Sequence, residues 1–172
     1  GAVRVLGIDP GLTRCGVAVI DGGPGRTLSA AHIGVIRTDP DVAIELRLTA
    51  VEAGLSALIT EFAPDAIAIE RVFSQHNVRT AMATAQAAAM GLLLAGQRGI
   101  PVALHTPTEV KAAVTGNGRA DKAQVTAMVV RILHLPGPPK PADAADAVAI
   151  AICQLWRGEG QRRLARAVAA AR

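Results

Sequence analysis

A chain of 172 residues, 51% of them apolar, suits one domain with a covered central sheet and is too apolar for a disordered segment. No apolar run reaches the roughly 18–20 residues of a membrane span, no basic-then-apolar leader opens the chain, and Cys15 and Cys153 lack zinc or disulfide spacing, so the composition points to a cytoplasmic protein with buried free thiols. The net charge of +4 is uneven: residues 1–70 hold five basic and nine acidic groups, residues 71–140 eight and two, and residues 157–172 five and one. A basic middle and tail fit a polyanionic partner, and fit an ordinary solvated surface as well.

In chain order, Val3–Asp9 alternates and ends in Asp9-Pro10-Gly11, which predicts a strand entering a turn. Cys15–Asp21 reads as a second short strand, closed by Gly22-Gly23-Pro24-Gly25, and Leu28–Arg37 as a third. Between Asp41 and Phe62 the period lengthens, and Ile44, Leu48, Val51, Leu55, Leu58 and Ile59 form a helical stripe. Ala66–Glu70 is a short apolar strand. Val78–Arg98 is an alanine-rich helix with Met82, Ala85, Ala89, Leu92 and Leu93 on one side, and Val102–His105 is a fifth strand.

Thr106-Pro107-Thr108-Glu109 has the capping-box pattern with proline at the first helical position, and Asp121-Lys122-Ala123-Gln124 is a second candidate cap. Pro136–Pro141 is a stiff linker before a helix over Ala142–Trp156. Residues 1–157 are expected to form a single domain. Residues 158–172 form a basic tail, helical by propensity but frayed or disordered. Three meandering strands followed by αβ crossovers predict an α/β fold: a mixed five-stranded sheet with helices on both faces.

Four acids stand out against this background. Asp9 and Glu70 each finish a strand, and the carboxyl ends of strands are where sites collect in open α/β sheets. Each has a plainer reading, Asp9 as part of a common turn sequence and Glu70 as the point where a buried strand meets water. Asp143 and Asp146 lie three apart, on one face of a helix. Asp143 also suits a first helical turn. Asp146 sits among alanines, valine and isoleucine on a helix that must approach the sheet, where an isolated charge is costly. Like charges at this spacing raise each other's pKa unless a cation intervenes. Together the four suit hard divalent cations, with which a water can be activated and a leaving oxygen stabilised in phosphodiester hydrolysis.

Gly7-Ile8-Asp9-Pro10-Gly11, Ile69-Glu70-Arg71-Val72-Phe73 and Asp143-Ala144-Ala145-Asp146-Ala147, in this order and at these intervals, resemble the signatures of the RuvC Holliday-junction endonucleases. Thr115–Lys122 is similar to that family's glycine-rich basic segment. The resemblance runs through Trp156 and leaves the tail uncovered. It implies an RNase H-like fold and a homodimer that nicks a four-way DNA junction symmetrically with two Mg²⁺ ions, or Mn²⁺ in their place. It also implies a branch-migration partner, RuvAB, and a role for Asp9, Glu70, Asp143 and Asp146 as metal ligands.

The resemblance further implies that Lys111 and Lys122 act near the scissile phosphate and that Phe73 stacks on or wedges between bases at the junction centre. Without it, Lys111 and Lys122 read equally as solvated lysines and Phe73 as a small satellite core. Arg71, Arg79 and Arg119 are further phosphate-contact candidates. The chain has no tyrosine and two phenylalanines, too few stacking platforms for a single-strand binder. A sugar-kinase-like ATPase shares Gly-Ile-Asp-x-Gly but needs a second lobe. An RNase H-like nuclease acting on RNA ends is the nearer rival.

Overall fold

The computed structural model describes residues 2–71 and 77–172. Five strands, β1 (Val3–Asp9), β2 (Arg14–Gly22), β3 (Leu28–Arg37), β4 (Ala66–Glu70) and β5 (Val102–His105), form one sheet in the order β3-β2-β1-β4-β5. β1, β2 and β3 pair antiparallel, whereas β4 joins β1 and β5 joins β4 in parallel. The mixed five-stranded sheet expected from the sequence is therefore the one observed.

The helices are α1 (Ile44–Phe62), α2 (Val78–Arg98), α3 (Pro107–Thr115), α4 (Lys122–Leu133) and α5 (Ala142–Ala170). Both capping boxes read from the sequence form, at Thr106 with Glu109 and at Asp121 with Gln124. Cys15 and Cys153 are buried free thiols.

Strand alternation divides the core into two layers. Leu6, Ile8, Val17, Val19, Ile67 and Ile69 pack under α1 and α2. Val5, Ala18, Ile20 and Ala68 pack with Val110, Val114, Val129 and the buried run Ala147–Cys153 of α3, α4 and α5. The second layer has the smaller side chains at its centre, and this lets α5 lie close to the sheet. Asp9 shares the parity of Val5 and Gly7, and Glu70 that of Ala68, so pleating aims both acids at α5.

Two helices differ from the sequence expectation. The predicted stripe of α2 is its exposed side: Met82 is 59% exposed, Leu92 40% and Leu93 48%. The buried residues are Ala87, Ala88, Gly91, Leu94 and Ala95. The reason is space. At Gly91 an added Cβ would lie 3.0 Å from the Cδ1 atoms of both Ile8 and Ile69, so only a small-residue face can approach this part of the sheet. Among the described residues α2 is also the one helix long and apolar enough, by composition, to span a bilayer, yet its inner face is committed to the sheet.

The helix expected to end at Trp156 continues to Ala170. Gly158 and Gly160 each cost it about 1 kcal/mol relative to alanine. The Gln, Arg, Leu and Ala residues that follow Gly160 favour helix, and Glu159 pairs with Arg163 at 2.8 Å one turn on.

Candidate active site

The site lies where the carboxyl ends of β1 and β4 meet the first turns of α5. Two glycines make this junction possible. Asp9 pairs with Gly16 in the β1–β2 register, and Gly7 with Ala18. A Cβ on Gly16 would fall 2.0 Å from the backbone oxygen of Asp143 and 3.2 Å from the Asp9 Cβ. A Cβ on Gly7 would fall 2.3 Å from the Ala147 oxygen. The backbone of α5 therefore rests directly on two side-chain-free positions of the sheet. That contact holds Asp143 and Asp146, one helical turn apart, over Asp9.

The electrostatics register this convergence. Burial pushes the Asp9 carboxyl up to about 8, and the charges of Asp146, Glu70 and Asp143 add to the rise, in that order. Glu70 is raised too, by burial and then by Asp146, while Lys122 and Lys111 oppose the rise. The other three acids expected from the sequence thus act on Asp9, and Asp146 and the two lysines act on Glu70.

Two cations already touch the site. Lys122 Nζ donates to Asp146 Oδ2 at 3.1 Å, and that bond raises the lysine above its ordinary value. Arg14 Nε donates to Asp143 Oδ2 at 2.9 Å. Among the described residues no three acid, histidine or cysteine groups are gathered as a ready-made metal cage. The donor set nevertheless fits hard divalent cations: it is all carboxylate oxygen, half-buried, and crowded with like charge, which adds to burial in raising Asp9 to about 8. Release of that proton and rotation of Asp143 and Asp146 off their cations would free oxygens for coordination.

The remaining expected residues divide. Arg119 is exposed in the turn before α4, its N–H bonded to Asn117 Oδ1 at 2.9 Å. Arg71 is exposed directly after Glu70, with its N–H donating to the His105 carbonyl at 2.7 Å. Arg79 is exposed in the first turn of α2, where its N–H and that of Thr80 are capped by Asn77. Phe73 lies outside the described residues.

The comparisons fit this geometry. A profile of the family "Crossover junction endodeoxyribonuclease RuvC" matches residues 5–154. The chain belongs to the RuvC family. It is 63% identical over 167 residues to RuvC of Streptomyces avermitilis, covering 97% of this chain and 95% of that one. It is likewise 63% identical over 170 residues to RuvC of Streptomyces griseus, covering 99% of this chain and 83% of that one. The solved T. thermophilus RuvC in complex with Holliday junction substrate superposes with a TM-score of 0.86 at 32% identity, over 91% of this chain and 94% of that one. The RNase H-like fold and the crossover-junction endodeoxyribonuclease assignment read from the motifs therefore hold.

Sequence reasoning missed Arg14, because its partner lies 129 residues away and only the hairpin register and the seating of α5 bring them together. It also missed the brace behind α3. Buried His105 bonds Gln154 Oε1 through Nε2 at 2.7 Å, and its Nδ1 lies 3.6 Å from Glu109, which Arg157 holds at 3.0 Å. This chain of contacts ties β5 and α3, the helix carrying Lys111, to α5. The only sequence signal was a histidine closing an apolar strand.

Proposed function

We propose that this RuvC-family chain resolves four-way DNA junctions by paired symmetric nicks, working as a homodimer with two divalent cations in each site. The observation that carries the reading is the meeting of Asp9, Glu70, Asp143 and Asp146 at one end of the sheet, where burial, and after it the charges of the other three acids, raise Asp9 to about 8. These four acids are the proposed metal ligands, for Mg²⁺ with Mn²⁺ as a substitute. When bound, the cations supply charge neutralisation and a water polarised for in-line attack on phosphorus.

The chain's own residues prepare that attack. Gly7 and Gly16 set the height of α5 above the sheet and hence the separation of its two acids from Asp9. Lys122, 75% exposed, can leave Asp146 for a phosphate oxygen, and Lys111 lies close enough to Glu70 to oppose the rise in its pKa. Arg71, Arg79 and Arg119 are proposed to contact the backbone of the arms, and Phe73 the bases at the centre. Residues 1–156 carry thirteen basic and thirteen acidic groups, so cation loading turns a neutral body attractive to DNA.

For the dimer, the supporting feature is the exposed apolar stripe Val78-Met82-Leu92-Leu93 along α2, an isologous face available to a second copy. A cytoplasmic location and a RuvAB partner complete the reading. The test is a nicking assay on a synthetic four-way junction in Mg²⁺, with Asp9→Asn as control. Two symmetric nicks that vanish in the variant support it. Junction binding without cleavage in either Mg²⁺ or Mn²⁺ refutes it.

A further inference from the structure

Arg14 occupies a position that neither the motifs nor the proposed mechanism uses. It opens β2, the strand that pairs Gly16 with Asp9, and its Nε bonds Asp143 Oδ2 at 2.9 Å. Its side chain is 48% exposed while that of Asp143 is 28% exposed. Among the described residues neither of its Nη nitrogens makes a hydrogen bond, so most of the guanidinium fork is unengaged. It also stands in parallel with Lys122. Each of the two α5 carboxylates at the site carries one cation from a different element, Arg14 from β2 on Asp143 and Lys122 from α4 on Asp146.

A pair this open contributes little to folding, because solvent screens it and two long side chains must be ordered to make it. It is cheap to break, and what breaks it is a competing cation on the same oxygens. A divalent ion on Asp143 would take the guanidinium's partner and would repel the guanidinium itself. It remains tethered at the mouth of the site, with a planar fork of donors that matches a phosphate in two places.

We propose that Arg14 is an exchangeable counter-ion of the acid cluster: it holds Asp143 when the cation is absent, and when the cation binds it is released to a backbone phosphate of the bound DNA. The inference rests on the two-cation reading above. It gives the site an order of events, in which cation binding both fills the acids and arms a phosphate ligand. Two opposite effects follow from one residue. Arg14 opposes metal binding, since it must be displaced and carries like charge, and it favours DNA binding only after metal has bound.

The experiment compares wild type, Arg14→Gln and Asp146→Asn, each checked for native circular dichroism. Calorimetric titration with Ca²⁺ or Mn²⁺ in the absence of DNA reads metal affinity. Fluorescence anisotropy on a labelled four-way junction, across a salt series in Ca²⁺ and again in chelator, reads DNA affinity. Arg14→Gln is expected to bind the cation several-fold more tightly. In Ca²⁺ it should bind the junction several-fold more weakly, with a salt slope smaller by about one. In chelator, where Arg14 is held on Asp143, its junction affinity should change far less.

Unchanged metal affinity in Arg14→Gln, with wild-type binding intact and lost in Asp146→Asn, overturns the counter-ion proposal and leaves the metal site standing. Tighter metal binding with an unchanged salt slope in Ca²⁺ overturns the release to phosphate. Failure of wild type to take up either cation, or uptake indifferent to Asp146→Asn, overturns the two-cation reading and this inference with it.

Discussion

Gly16→Ala tests whether the seating of α5 sets the active site. The added Cβ would fall 2.0 Å from the Asp143 oxygen and 2.6 Å from its carbonyl carbon, both backbone atoms that no rotamer change can move. Real Cβ contacts do not fall below 3.0 Å, so α5 and β2 must separate by about 1 Å at this point. The separation opens between Asp9 on the sheet and Asp143 on the helix. A misplacement of about 1 Å can cost a reaction of this kind roughly 100-fold. The stability cost of such overpacking is about 1–3 kcal/mol, offset by about 0.5–1 kcal/mol from the lost freedom of the unfolded glycine. The expected variant is folded, modestly destabilised, and slowed in single-turnover nicking of a four-way junction by about two orders of magnitude, while junction binding in chelator persists. Gly160→Ala is the matched control, since nothing lies within 4 Å of its added Cβ and the helix should gain stability there. A folded Gly16→Ala that nicks at the wild-type rate refutes the argument that helix height sets the geometry of the acids.

Other outcomes can be measured independently. The native Asp9 carboxyl keeps its proton to about pH 8 while the unfolded chain releases it near 3.8, so the native state binds more protons across that window and stability falls as pH rises through it. In chelator, Tm should drop between pH 5 and pH 8, less so in Asp9→Asn; parallel profiles for the two proteins would contradict the assignment. Leu93→Glu on the exposed stripe of α2 should shift sedimentation equilibrium towards monomer without lowering intrinsic stability, whereas an unchanged association constant rules out that face as the dimer contact. His105→Ala removes a buried partner of Gln154 and the neighbour of Glu109, and should cost about 1–3 kcal/mol in urea unfolding. A cost below the error of that measurement would mean that the brace does not hold α3.

What the sequence disclosed has a physical pattern. Strand parity and the turn at Asp9-Pro10-Gly11 are local, so β1, β4 and the two acids at their ends were legible, as were the capping boxes at Thr106 and Asp121. The i,i+3 spacing of Asp143 and Asp146 needed only one helix. The inner face of α2 was not legible: apolarity pointed to Met82 and Leu93, while steric clearance over Ile8 and Ile69 selected the alanine face. The full length of α5 was obscured by Gly158 and Gly160, whose intrinsic cost the surrounding residues outweigh. Arg14 was beyond reach because its role depends on three things at once: the hairpin register, the glycine floor and the first turn of α5.

The acids of this site are scattered along the chain, at positions 9, 70, 143 and 146, and the last two are placed only by a helix that crosses two strands laid down at the start. During synthesis the cluster cannot exist until α5 has left the ribosome and docked. The same docking buries Ala147–Cys153 against β1, β2 and β4, so the acid cluster and the second core layer form in one event. A truncated, nascent or half-unfolded chain therefore lacks the assembled acid cluster, and on the proposed function it cannot cut. On that proposal, tying the cluster to the last long-range contact keeps incomplete copies of the nuclease inactive.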